Sequence, residues 1–157
     1  VYDFLASRRN SANRLIFVYG YSLGTLAAIQ VAAHRPVAGV ILEGPFSSAE
    51  DVIPTWGGLF PWPLRWFVRV RPDEKLRNRR PQPIDIIRNV SAPLLVIHGT
   101  KDQIVPIDFG EKMLAAAASS QKHWCPVQGA DHGLQPPFDS MADSCLKDFI
   151  RIYGRVE

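Results

Sequence analysis

The chain has only two cysteines, Cys125 and Cys145. That argues against a disulfide framework and against a cysteine-rich metal site, and both residues read as buried small apolar side chains. Long apolar runs are absent as well. Nothing approaches the ~18 uninterrupted apolar residues of a membrane-spanning helix, and the first residues show no charged leader followed by an apolar stretch and a cleavage site. Because the chain opens on Val1 rather than Met, localisation stays open between the cytoplasm and a membrane surface. Internal repeats, low-complexity tracts, a helix-turn-helix signature and an RNA-binding aromatic pattern are all missing. Nucleic acid is therefore not expected as a partner, and neither a metal nor a cofactor is expected.

What is present suits one globular domain: 157 residues, of which 46% are hydrophobic and 21% charged, carry enough apolar material for a single core. The net charge of +3 is unevenly spread. Arg65, Arg69, Arg71, Lys75, Arg77, Arg79 and Arg80 cluster against only Asp73 and Glu74. Such a cluster reads first as a solvated face and second as a contact for anionic lipid or substrate.

Residues 1–7 place Val1, Phe4 and Leu5 at helical spacing. The run Leu15–Tyr19 has no polar alternation, as expected of a parallel strand covered on both faces. From Leu23 to Ala33 the sequence is alanine-rich and helical, and Pro36 ends it. Val37–Glu43 and Leu94–His98 are further strand candidates, with Lys122–Val127 a weaker fourth because Pro126 interrupts it. Pro106–Ala118 and Asp139–Tyr153 read as helices, the second with Ala142, Cys145, Leu146, Phe149, Ile150 and Tyr153 on one stripe. This alternation predicts a parallel α/β sheet with right-handed crossovers. Residues 46–91, rich in proline and aromatics, are too long for an ordinary connection and read as a cap inserted over the ligand-binding edge.

Chemistry concentrates at Gly20-Tyr21-Ser22-Leu23-Gly24, where a strand candidate meets a helix. In a G-x-S-x-G turn the small flanking residues allow a sharp bend and leave the hydroxyl exposed at the head of the helix. Helix capping alone would not call for glycine on both sides, so Ser22 reads as a nucleophile. A serine hydroxyl needs a base within hydrogen-bond reach, and the base needs an orienting acid. Asp102 follows a strand in His98-Gly99-Thr100-Lys101-Asp102, and His132 lies in Gly129-Ala130-Asp131-His132-Gly133. Glu43 also ends a strand and rivals Asp102 as the acid. His34, His98 and His123 read as surface or packing residues, and Asp131 as a solvated turn residue.

GYSLG, HGTKDQIVP and GADHG together resemble the elbow, acid loop and histidine loop of the α/β-hydrolase-fold serine hydrolases. The likeness is closest to the esterase and thioesterase-like branch related to serine aminopeptidases and Bem46-type proteins. It implies Ser22 as nucleophile, His132 as general base and acid, Asp102 as the orienting carboxylate and the Leu23 N–H as an oxyanion donor. Tyr21, Trp62 and Trp66 are the expected substrate contacts. The family takes a second oxyanion donor from a loop ahead of the elbow strand, and nothing before Leu15 matches it. Residues 1–157 are accordingly expected to form a single partial domain that lacks the family's N-terminal strands, with its elbow strand at an open edge. The implied substrate is a small-molecule or acyl and lipid ester or thioester, with peripheral membrane contact through the aromatic and basic cap. A peptidase of the same fold and a non-catalytic binding domain are the alternatives.

Overall fold

Four apolar runs form four strands, β1 (Phe17–Tyr21), β2 (Gly39–Glu43), β3 (Leu94–Gly99) and β4 (Lys122–Val127), all parallel and adjacent in sequence order. The structure, a computed structural model, describes residues 1–7, 15–67, 69–77, 80–134 and 139–154. Helices alternate with the strands: α1 (Tyr2–Ser7) precedes β1, α2 (Gly24–His34) links β1 to β2, α6 (Ile107–Ala116) links β3 to β4, and α7 (Asp139–Tyr153) follows β4. Between β2 and β3 lie α3 (Ala49–Thr55), α4 (Glu74–Arg77) and α5 (Pro83–Ile86), with short 3-10 turns. This is a partial α/β-hydrolase fold.

Side chains on successive strand residues point to opposite faces, which is why the strands carry unbroken apolar runs. Val40, Leu42, Leu94 and Val96 pack with Ala28 and Ile29 of α2 and Met113 of α6 on one face. Ile41, Leu95 and Ile97 pack with Ala142 and Phe149 of α7 on the other. Ile41, Leu42, Leu94 and Ile97 are at most 1% exposed, so each contributes roughly 1.5–3 kcal/mol by burial. A third, smaller cluster of Phe46, Val52, Val105 and Phe109, joined by Leu26, lies under the loops at the strands' C-terminal ends.

Pro126 sits inside β4 without breaking it. Leu94 N–H donates to Gln121 O and Thr100 N–H to Val127 O, so the odd-numbered residues of β4 face β3. Pro126 therefore turns its missing donor towards the open side of an edge strand. β1 is the opposite edge. It begins and ends two residues later than Leu15–Tyr19, so Ser22 directly follows the last strand residue. The N-terminal helix forms, but Phe4 and Leu5 are exposed on it.

The cysteines correct the sequence reading. Cys125 of β4 and Cys145 of α7 form a disulfide, with Cα atoms 6.4 Å apart. Strand alternation turns Cys125 towards the same α7 stripe that carries Cys145, which the sequence pattern alone treats as ordinary packing. The segment between β2 and β3 is tied down near its start, where Trp56 Nε1 donates to Ile104 O at 3.0 Å. Beyond that point Trp62, Trp66 and Phe67 are 70%, 74% and 83% exposed. Of the basic cluster, Arg79 lies outside the described residues.

Candidate active site

Ser22 leaves β1 in a left-handed conformation, φ +50, that costs a non-glycine residue on the order of 1–3 kcal/mol. Several contacts hold it there. Its N–H donates to Glu43 O at 2.8 Å, and its carbonyl accepts from Thr25 N–H at 3.0 Å and Thr25 Oγ1 at 2.6 Å. Gly20 is needed sterically, because a Cβ there would lie 2.6 Å from Gly24 O and 2.7 Å from Thr25 Cα. Gly24 is different: a Cβ there meets nothing within 4 Å among the described residues, so the expected need for a small residue on that side has no steric counterpart here. Leu23 is the N-cap of α2 without a side-chain cap; Thr25 N–H and Leu26 N–H are already bonded to Ser22 O and Leu23 O, so the N–H groups of Leu23 and Gly24 are the ones left to meet an anion.

The loops after β3 and β4 bring Asp102 and His132 to this turn. His132 Nε2 lies 2.9 Å from Ser22 Oγ, and its Nδ1 lies 2.6 Å from Asp102 Oδ2. With Nδ1–H donating to the carboxylate, Nε2 is the acceptor for the serine hydroxyl. The buried Asp102 also receives Ile104 N–H at 2.9 Å and Val105 N–H at 2.8 Å on Oδ1. Burial by itself would raise its pKa. Hydrogen bonds from His132, His98 and the Val105 backbone, with the charge of His132, outweigh that and hold the carboxyl well below the ordinary range.

Glu43, the rival acid, is occupied elsewhere, since its Oε2 accepts from the Tyr19 hydroxyl. Burial first, and then the hydrogen bond and charge of Glu43, push the Tyr19 phenol up, so it stays a donor at neutral pH. Of the remaining histidines, His34 bonds to Gln30 O and His123 to the Tyr153 hydroxyl, both away from Ser22. Asp131 accepts from Gly133 N–H at 3.1 Å within its own turn.

Tyr21 is brought to the site, but largely as a wall for His132. Its hydroxyl donates to His132 O at 3.2 Å, and its ring lies 5.2 Å from the imidazole at an interplanar angle of 35°. Burial, then the charges of Glu43, Asp102 and Asp131, raise its pKa and keep it neutral. Trp62 and Trp66 are not brought there: neither lines the cavity that opens at Leu23 or the one against His132. Both side chains are largely exposed instead.

Two contributors were not singled out from the sequence. Gly44, at φ +55, passes directly beneath the imidazole, and a Cβ there would lie 3.1 Å from His132 Cε1 and 3.2 Å from Nδ1. A glycine just after a strand was the only hint. His98 is 1% exposed, donates from Nε2 to Val105 O at 2.8 Å and lies 3.5 Å from Asp102 Oδ2, so it braces the acid loop rather than merely filling space.

Residues 1–145 match the model of the prolyl oligopeptidase family. An uncharacterized Mycobacterium tuberculosis protein is 38% identical over 132 residues, covering 83% of this chain and 42% of the relative. The alpha/beta hydrolase domain-containing protein WAV2 of Arabidopsis thaliana is 32% identical over 131 residues, covering 78% and 41%. The chain thus spans about two fifths of the length of these relatives. Among solved structures, an esterase domain from Rhodothermus marinus superposes with TM-score 0.67 at 26% identity, covering 98% of this chain and 66% of that one. Pyrococcus horikoshii acylaminoacyl peptidase superposes with TM-score 0.68 at 21% identity, covering 99% and 27%, a likeness of fold.

Proposed function

Because the chain belongs to the prolyl oligopeptidase family of α/β-hydrolase-fold serine hydrolases, we propose that it cleaves ester or thioester bonds through an acyl-enzyme on Ser22. The observation that carries this reading is the hydrogen-bonded relay from Ser22 Oγ through His132 to Asp102. In it, Ser22 Oγ attacks the substrate carbonyl as its proton passes to His132 Nε2, and Asp102 stabilises the resulting imidazolium. The carbonyl oxygen, now negative, accepts from Leu23 N–H. As the tetrahedral intermediate collapses, the bond to the leaving group breaks and His132 returns the proton to the departing alcohol or thiol. A water molecule then repeats the sequence on the acyl-enzyme and frees Ser22.

A peptidase is the second reading, favoured by the family model itself and by the acylaminoacyl peptidase among the fold neighbours. The exposed Trp62, Trp66 and Phe67, beside the exposed Arg69 and Arg71, support contact of the cap with an anionic membrane surface. A fluorophosphonate probe with peptide mapping tests the acyl-enzyme: label on Ser22, lost in Ser22→Ala, is expected. Absence of label on Ser22 in a folded chain would count against the acyl-enzyme and favour the non-catalytic reading. Hydrolysis of p-nitrophenyl butyrate measured beside a panel of peptide p-nitroanilides separates esterase from peptidase.

A further inference from the structure

One cavity opens at Leu23, the residue after Ser22, and another lies against His132, and they differ in chemistry. One, about 570 Å³, starts at Leu23 and runs along the first two turns of α2, walled by Leu26, Ala27, Phe46, Pro83 and Ile86. The other, about 460 Å³, lies on the His132 side, where Tyr21 and Gly133 meet Lys101, Gln103 and Asp131. Both volumes suit a small-molecule ligand. The first wall is mostly apolar, with Gln30, Arg80 and Gln82 as its polar members, and the second carries charges of both signs.

Proton transfer decides which part of a substrate belongs in which cavity. His132 Nε2 must reach the leaving-group atom to protonate it, so the leaving group lies on the His132 side of Ser22. The acyl chain then extends away from His132, past the oxyanion donor of Leu23. From these constraints we infer that the cavity along α2 is an acyl-chain subsite for linear aliphatic acyl groups, and that the His132-side cavity receives a polar alcohol or thiol leaving group. This rests on the acyl-enzyme reading above and names its substrate class. It also moves the acyl site off the exposed tryptophans of the cap. Leu26 and Phe46 belong to the small cluster under the loops, which gives the subsite a packed floor.

Ala27 and Gln30 are exposed helix positions lining this cavity, so each accepts a bulky residue without disturbing the core. Dansyl-undecanoate is titrated into the Ser22→Ala chain, a measurement that needs no turnover. Saturable binding is expected. Ala27→Trp and Gln30→Trp, made in the Ser22→Ala chain, should weaken it by roughly 15- to 60-fold, the equivalent of two or three methylenes returned to water. Lys101→Ala, in the other cavity, should leave it unchanged. In chains with Ser22 intact, a dodecyl fluorophosphonate should label faster than an ethyl one, and either tryptophan should erase that preference. Absence of saturable binding, or binding and chain-length preference untouched by both tryptophans, overturns the subsite. Fatty-acid binding blocked by the tryptophans in a chain that neither probe labels would keep the subsite and remove the acyl-enzyme.

Discussion

Gly44→Ala tests the site at a residue that makes no hydrogen bond to Ser22 or His132. The substitution acts in two ways. The left-handed φ of +55 costs an alanine roughly 1–2 kcal/mol, which should appear as lost stability. Separately, the new methyl would sit 3.1 Å from His132 Cε1, 3.2 Å from Nδ1 and 3.8 Å from Asp102 Oδ2. The first two separations are shorter than carbon contacts of about 3.5–4 Å, so the imidazole must retreat by several tenths of an ångström. Tyr21 packs against that ring, which limits where it can go. A displacement of that order, set against the ~10²-fold cost of a 1 Å error, should lower reactivity about 10-fold or more. The assay is the second-order rate of Ser22 labelling by ethyl fluorophosphonate, read beside a urea unfolding curve. Gly24→Ala is the control, since its methyl meets no described atom and an alanine in a helix is favoured over glycine by up to about 1 kcal/mol. It should label at the wild-type rate and be no less stable. A Gly44→Ala chain that loses stability yet labels at the wild-type rate would refute the claim that Gly44 sets the position of His132.

Asp102→Asn should reduce labelling and ester hydrolysis by about 10⁴-fold, because the amide favours the wrong imidazole tautomer. The depressed pKa of Asp102 also carries a sign: the ionised group stabilises the fold above the unfolded carboxyl pKa, and that contribution disappears as pH falls through its lower folded value. The difference in thermal midpoint between wild type and Asp102→Asn should therefore be largest near neutral pH and shrink below about pH 4, as midpoints taken from pH 2 to 7 would show. Reducing the Cys125–Cys145 bond, which closes a loop with a sequence separation of 20, should cost about 3 kcal/mol in urea unfolding measured with and without reductant. Trp62→Ala and Trp66→Ala should leave unfolding and acyl-chain preference unchanged while weakening co-sedimentation with vesicles containing phosphatidylserine. Equal loss against purely zwitterionic vesicles would point to general stickiness instead.

The strands and principal helices were legible in the sequence because they rest on local regularities: unbroken apolar runs, an alanine-rich stretch ended by proline, and a stripe on the last helix. Ser22, Asp102 and His132 were nameable for a related reason, since each sits in a short turn whose composition is itself a signal. Contacts between chain segments were not legible. Glu43 and Asp102 both end strands, and only the arrangement of their side chains turns one to Tyr19 and the other to His132. The Cys125–Cys145 pairing depends on which face of β4 meets which stripe of α7, and the work of Gly44 depends on the backbone after β2 passing under a ring supplied by the loop after β4. The aromatic cap illustrates the limit most plainly. Composition marked Trp62 and Trp66 as apolar surface in need of a ligand, but whether a side chain lines a cavity is decided by three-dimensional packing, and here the lining falls to Leu23, Leu26, Phe46 and Ile86 from three separate segments.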